Sequence, residues 1–350
     1  MLKPILIGIS PNTQRDDVWL ALKLLFSPGR WQTGPAPAGL ETKIKKYFKV
    51  KHCYLVNAGR TALYLGLKSL SLNPGDEVIH LDFTCPVVPE AIIRAGGKPV
   101  AVADLTKSKI SPRTKAIIAQ HTFGIPDDLT KIQALCRRHQ LILIEDCAHS
   151  LGAKYKRKPV GSFGDLTVLS FGRDKVISSV FGGALLSKKS IALPLLAYPD
   201  RGWILKQLFH PLLMALAVPS YFFGGKLLIW LARKLNLITL PLKELPVKLL
   251  PNALAELVLN QWRKLEKLNR HRQTLARFYA QNLNQKFNPR GIYLRYPLNV
   301  SNPKKIISLA KNQQLLLGNW YDFKIINLPT HIKINLDDAR RVIQFIKAYV

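Results

Sequence analysis

Between about Val56 and Ser187 the apolar positions alternate between stretches at helical spacing and short continuous runs. Thr61 to Leu70 has helical spacing, Asn73-Pro74-Gly75-Asp76 forms a turn, and Glu77 to Leu81 reads as a strand. The pattern then repeats, with a helix around Val87 to Ala95, the break Gly96-Gly97 and a strand over Pro99 to Val102. It continues with strand Ala116 to Gln120, helix Asp128 to His139, strand Leu141 to Glu145 and strand Leu166 to Phe171. Apolar runs of this length, bounded by turns and separated by helices, belong to strands buried on both faces. They predict an α/β fold with a mostly parallel sheet flanked by helices, whose ligands sit at the carboxyl ends of the strands. Asp127 and Asp128 fall where a helix cap belongs, whereas Asp146 directly follows an apolar strand and faces the expected ligand crevice.

Residues 203–242 interrupt the alternation. This segment is rich in Leu, Phe and Trp, is punctuated by Pro211, Pro219 and Gly224-Gly225, and is bordered by Lys226 and Arg233. Its longest uncharged stretch, about Leu212 to Phe223, is too short to span a bilayer, which takes roughly 20 apolar residues. It reads as a helical hairpin, either buried, against a second subunit for example, or resting on an anionic membrane surface. A long amphipathic helix is predicted from Asn252 to Leu283. The tail reads as a small α+β unit: strand Ile292 to Tyr296, helix Pro303 to Gln313, strand Lys324 to Leu328 and helix Leu336 to Tyr349. The expected organisation is therefore a large domain over 1–245, with the apolar insert, and a small C-terminal domain over 246–350 opening on the long helix.

Charge changes the picture less than its size suggests. The 350 residues carry 52 Lys+Arg against 21 Asp+Glu, a net +31, but the basic residues are spread along the chain. With no helix-turn-helix, zinc-finger or RNP-type signature, nucleic acid is not an expected partner. Four scattered cysteines, without C-x-x-C spacing, suit neither a metal site nor a disulfide framework and fit a reducing cytoplasm. The N-terminal apolar run is too short, and lacks the small-residue cleavage site, for a secretory signal.

Four separated segments carry candidate chemistry. Ala58-Gly59-Arg60-Thr61 precedes a helix, whose exposed amides and dipole suit a phosphate. His80 to Ile92 follows a strand end, Ile144 to Ala153 supplies Asp146 and His149, and Val160 to Ser187 contains Ser170, Lys175 and Gly182-Gly183. Pyridoxal phosphate (PLP) requires such a set: an acid against the ring nitrogen, a lysine for covalent attachment and proton transfer, and donors around the phosphate.

In these segments the chain resembles the DegT/DnrJ/StrS sugar aminotransferases, which have the type I PLP-enzyme fold. N-P-G-D-E-V, A-G-x-x-P-V, I-E-D-x-A-H, V-G-S-F-G-D and S-F-x-x-x-K occur here in the family's order. The resemblance runs from about Trp31 to Arg272 and more thinly beyond. It implies that Lys175 carries the cofactor and Asp146 pairs with the ring nitrogen. His149 falls near the ring hydroxyl, while Ser170, Gly59 and Arg60 meet the phosphate. Cys85 stands where many members place an aromatic ring over the cofactor. Val247 stands about where members lend an asparagine to the neighbouring subunit's phosphate, so Asn252 becomes the candidate substitute. The resemblance further implies a homodimer that passes an amino group from glutamate to a keto-sugar, on a nucleotide, in polysaccharide or glycan biosynthesis. Two alternatives remain: a PLP-dependent sugar dehydratase-like enzyme, and a non-catalytic membrane-peripheral scaffold. Retention of Lys175 speaks for transamination over the first, and retention of Asp146, Ser170 and Lys175 speaks against the second.

Overall fold

The computed structural model describes residues 3–239, 246–320 and 323–349. Its central sheet has seven strands: β1 (His52–Val56), β2 (Glu77–Leu81), β3 (Lys98–Val102), β4 (Thr114–Gln120), β5 (Ile142–Asp146), β6 (Leu166–Ser170) and β7 (Gly183–Ser187). Their spatial order is β1-β7-β6-β5-β4-β2-β3. All neighbouring pairs are parallel except those of β7, which runs antiparallel to both β1 and β6. Both faces of this sheet are apolar, as the sequence pattern predicts. In β4, Ala116 and Ile118 join one core cluster while Ile117 and Ala119 join the other.

Helices α1 (Arg15–Leu25) and α2 (Ala36–Phe48) precede the sheet; α3 (Gly59–Lys68), α4 (Val87–Arg94) and α5 (Leu129–His139) connect its strands. Helices α3 and α4 pack on one face, and α2 and α5 on the other. Asp128 caps α5 through Lys131 N–H at 3.3 Å, the role expected of it.

After β7 come α6 (Arg201–Ala217) and α7 (Gly225–Lys234), then α8 (Asn252–Trp262) and α9 (Leu265–Asn282). The single helix predicted over Asn252 to Leu283 is thus two. The break falls at Arg263 and Lys264, where Lys264 N–H donates to Gln261 O at 3.0 Å. Gln261 and Lys264 are both drawn to Asp17, at 2.5 and 2.9 Å. An apolar period that continues through such a turn gives no sign of it.

The C-terminal unit contains β8 (Tyr296–Asn299), α10 (Pro303–Asn312), the short β9 (Gly318–Asn319), β10 (Ile325–Leu328) and α11 (Leu336–Tyr349). Its sheet has the order β8-β10-β9, all antiparallel. The strand predicted from Ile292 begins only at Tyr296, because Ile292 and Leu294 N–H donate to Gly124 O and Phe123 O of the large unit. This unit has a separate core, which begins within α9 at Leu275 and includes Ile5 from the other end of the chain. The expected boundary at 245 and the end of the insert, 240–242, lie outside the described residues.

Candidate active site

The carboxyl ends of β1, β2, β5 and β6 meet at one cavity of about 680 Å³. Asp146 is the last residue of β5 and Ser170 the last of β6, while Gly59 opens α3 just after β1. The order of the parallel strands therefore brings together residues that stand over a hundred positions apart in sequence. Gly59, Arg60, Cys85, Asp146, His149, Ser170 and Lys175 all line this cavity.

Lys175 sits in the loop between β6 and β7, and several hydrogen bonds fix that loop. Phe171 N–H donates to Gly182 O at 2.8 Å and Ser179 N–H to Phe171 O at 2.9 Å. Asn12 Nδ2 donates to Lys175 O at 2.5 Å. Arg272, only 1% exposed, donates to Val176 O at 2.6 Å, to Asn12 Oδ1 at 2.9 Å and to Asn269 Oδ1 at 2.7 Å. A buried arginine held by neutral oxygens is costly unless those bonds are made. Here, with Asn12, they hold the carbonyls of Lys175 and of the residue after it.

Burial lowers the pKa of Lys175 from its ordinary value, and Arg295 adds to the effect against the opposing pull of Asp146. Asp146 itself is raised by burial, offset in part by Ala148 N–H at 2.9 Å and by Lys175. Since only the neutral amine attacks a carbonyl, the rate at which Lys175 combines with a pyridoxal aldehyde is expected to rise with pH and level off below 10.5. Arg295→Gln is expected to move that profile to higher pH, because it removes a neighbouring positive charge; stopped-flow absorbance across pH measures both.

Beside them, burial, Lys175 and Arg295 hold His149 well below the usual imidazole range, so it is neutral. Its Nδ1 accepts from Phe123 N–H at 3.4 Å, which puts the ring proton on Nε2. The His149 ring lies against Trp320 at 5.1 Å and Phe123 at 6.3 Å. Phe83, two residues before Cys85, joins the same group through Phe123, Phe323 and Trp320. The aromatic surface missing at Cys85 is thus present nearby, with Trp320 lining the cavity from the C-terminal unit.

At the other end, Gly59 meets Ser170 so closely that a Cβ on Gly59 would lie 2.6 Å from Ser170 Cβ and 2.8 Å from its Oγ. Gly183 is equally constrained, since a Cβ there would lie 2.5 Å from the carbonyl carbon of Ala58. Together these contacts leave the first turn of α3 and the Ser170 hydroxyl as one small cup, suited to an anion. Gly59→Ala is expected to fold, to lose about 1–3 kcal/mol of stability from overpacking, and to bind phosphate-bearing ligands about tenfold more weakly. Thermal unfolding and a fluorescence titration with PLP read the two effects separately.

Asn252 is not among the residues brought together. It is fully buried, with Nδ2 donating to Arg30 O at 2.7 Å and Glu256 Oε1 at 2.9 Å, and Oδ1 accepting from Ala36 N–H at 3.0 Å. Both its amide hydrogens are used within the chain, which leaves none for a neighbouring subunit's phosphate. Conversely, the cavity contains residues that sequence reasoning did not single out: Arg173, Lys226, Trp230, Arg233, Arg295 and Trp320. Arg173 comes from the loop that carries Lys175, Lys226, Trp230 and Arg233 from the insert, and Arg295 and Trp320 from the C-terminal unit; only their charge or ring marked them.

Glu145, next to Asp146, points the other way into the protein and is fully buried. Its carboxylate accepts from the N–H groups of Gly161 (2.7 Å), Phe163 (2.7 Å) and Gly164 (2.5 Å), and lies 3.2 Å from His121 Nε2. The V-G-S-F-G-D motif is therefore a loop wrapped around one carboxylate. Glu145 groups with His121 and Cys147 at a spacing that metal ions use, but its oxygens are already taken by loop amides.

The sequence profile described as the DegT/DnrJ/EryC1/StrS aminotransferase family matches residues 14–192, just over half the chain. The chain belongs to this family. Its relatives include a GDP-perosamine synthase of Vibrio cholerae, 37% identical over 164 residues, or 44% of each chain. Another is a dTDP-3-amino-3,4,6-trideoxy-alpha-D-glucose transaminase of Micromonospora megalomicea, 31% identical over 185 residues, or 50% of each. The chain spans about half the length of the curated relatives it matches. The likeness of fold reaches further. Helicobacter pylori PseC, an aminotransferase of pseudoaminic acid biosynthesis, superposes with a TM-score of 0.75 over 99% of both chains at 19% identity. A DegT/DnrJ/EryC1/StrS aminotransferase of Brucella abortus gives 0.72 over 95% of both at 20% identity. The fold is therefore that of the family throughout, whereas the family profile stops before the apolar insert.

Proposed function

We propose that this chain is a PLP-dependent aminotransferase that moves an amino group from glutamate onto a keto-sugar, carried on a nucleotide, in glycan or polysaccharide biosynthesis. The observation that carries the reading is the convergence of Lys175 and Asp146 on one cavity that is also lined by Gly59 and Ser170, which form the cup. The residues present fit PLP. Asp146 is a buried carboxylate against which a protonated ring nitrogen would be stabilised, and a Cβ at Gly59 would fill the cup that suits the phosphate. PLP, when bound, supplies an electron-withdrawing ring that stabilises negative charge on the carbon losing its proton.

The chain's own residues do the rest. Asp146 would keep the ring nitrogen protonated, and the α3 amides with Ser170 would hold the phosphate. His149 offers its Nε2–H as a donor, since its Nδ1 is occupied by Phe123. Lys175 Nζ would be the atom that holds the cofactor and, as a free amine, the group that would accept and return a proton. Burial lowers its pKa, which leaves more of it as the free amine this work needs. Arg173, Lys226, Arg233 and Arg295 line the cavity and match an acceptor bearing a diphosphate. The reading includes a homodimer acting in the cytoplasm.

The test is the absorbance spectrum of purified protein with PLP, before and after glutamate. A visible band that gives way to near-ultraviolet absorbance on adding glutamate supports the reading. A protein that takes up no PLP, or whose band ignores amino donors, overturns it.

A further inference from the structure

The insert, which lies beyond the part of the chain that matches the family profile, is half core and half exposed surface. Helix α6 buries Ile204, Leu208, Leu213 and Met214, and α7 buries only Gly225, Ile229 and Ala232 along one stripe. The rest of α7 faces outward: Leu227 is 58% exposed, Trp230 52%, Leu231 40% and, just after the helix, Leu235 65%. Leu205, Leu216, Phe223, Leu228 and Leu237 are exposed too. Nine of the fifteen exposed large hydrophobic residues among the described residues thus fall within 205–237, which makes a patch and not a scatter.

The charges of this segment have one sign. From Arg201 to Thr239 there is no Asp or Glu, but there are Arg201, Lys206, Lys226, Arg233 and Lys234. A second copy docked on this face about a twofold axis would bring these cations against their own counterparts. An anionic lipid surface complements them, and leucines with a tryptophan beside lysines and arginines are the composition of helices that lie in the headgroup region. Among the described residues no helix is long and apolar enough to cross a membrane, so the contact is with the surface.

Helix α7 also forms a wall of the active-site cavity, through Lys226, Ile229, Trp230 and Arg233. Its exposed leucines and its cavity-lining side chains are thus on one short helix.

We propose that the outer face of the α6–α7 hairpin is a docking surface for an anionic bilayer, holding the mouth of the active-site cavity at the level of the lipid headgroups. The inference stands on exposure and charge, independently of the aminotransferase reading.

The experiment is co-sedimentation of the full chain with vesicles of phosphatidylcholine containing about one-third phosphatidylglycerol, and with phosphatidylcholine alone. The wild type is expected to bind the anionic vesicles at least about tenfold more tightly than the neutral ones, and to be released by salt. The combined variant Leu227→Ser, Leu228→Ser, Leu231→Ser, Leu235→Ser removes exposed apolar groups and none that lines the cavity. It is expected to keep its circular dichroism and its oligomeric state and to lose vesicle binding by at least about tenfold. Failure of the wild type to bind anionic vesicles overturns the proposal. So does a variant that dissociates in sedimentation velocity without vesicles, because the face is then a contact between copies. PLP uptake by the same variant is read separately, so that a failure of the cofactor reading is told apart from a failure of the docking surface.

Discussion

Lys175→Ala is expected to bind PLP without developing the visible band and to transfer amino groups at least about 10³-fold more slowly than the wild type. The magnitude follows from two losses at one atom: covalent attachment between turnovers, and a positioned acid and base whose contribution is typically 10²–10⁴-fold. Among the described residues the cavity is lined by one further lysine, Lys226, which is carried by α7 of the insert and not by the loop after β6. The backbone around position 175 should be unaffected, because Asn12 and Arg272 hold it through carbonyl oxygens that alanine retains. Thermal unfolding without cofactor should therefore match the wild type. Turnover within about tenfold of the wild type would place the chemistry elsewhere.

Glu145→Ala is expected to be the most damaging substitution for stability, with a loss of roughly 4 kcal/mol or more in urea unfolding. Three backbone amides donate to this carboxylate and His121 lies beside it, all in a region closed to water. Each buried donor left without a partner costs about 1–3 kcal/mol. Water entering the space left by the side chain recovers part of that. Glu145→Gln keeps one acceptor oxygen and should lose less than the alanine variant. If the two variants unfold alike, near the wild type, the loop from Gly161 to Gly164 is held by something other than this carboxylate.

The pair Glu145 and Asp146 marks where sequence reasoning reached and where it stopped. Asp146 was legible because a carboxylate after an apolar strand has a place in a parallel sheet. Glu145 was not, because nothing local says that the next side chain turns to a loop sixteen residues on. Elements were legible wherever pattern and boundary agreed: strand Glu77–Leu81 and helix Leu336–Tyr349 have their predicted limits. The break in Asn252–Leu283 escaped because Asp17, which draws Gln261 and Lys264, lies more than 240 positions earlier. Nothing in the sequence singles out Arg272, since a long-range buried hydrogen-bond network has no periodic signature. Asn252 shows the opposite case: an asparagine near the family's position suggests a partner, whereas its amide is engaged within the chain around Gly34. In the insert, composition disclosed an apolar hairpin but not which face was covered, because only the packed body decides that.

The clamp on Lys175 has a bearing on how the molecule matures. Its two halves are distant in sequence: Asn12 and Arg272 are 260 positions apart, and Val176 and Arg272 are 96 apart. Ile5 pairs with Leu315 across a still longer span. The large sheet contains only strands between His52 and Ser187, so a growing chain can assemble it early. The lysine loop, in contrast, lacks its anchor until α9 has been made and packed. During synthesis and refolding the central sheet should therefore acquire hydrogen-exchange protection first, and the loop bearing Lys175 last, with the loss of loop entropy on closing these long spans delaying the final step.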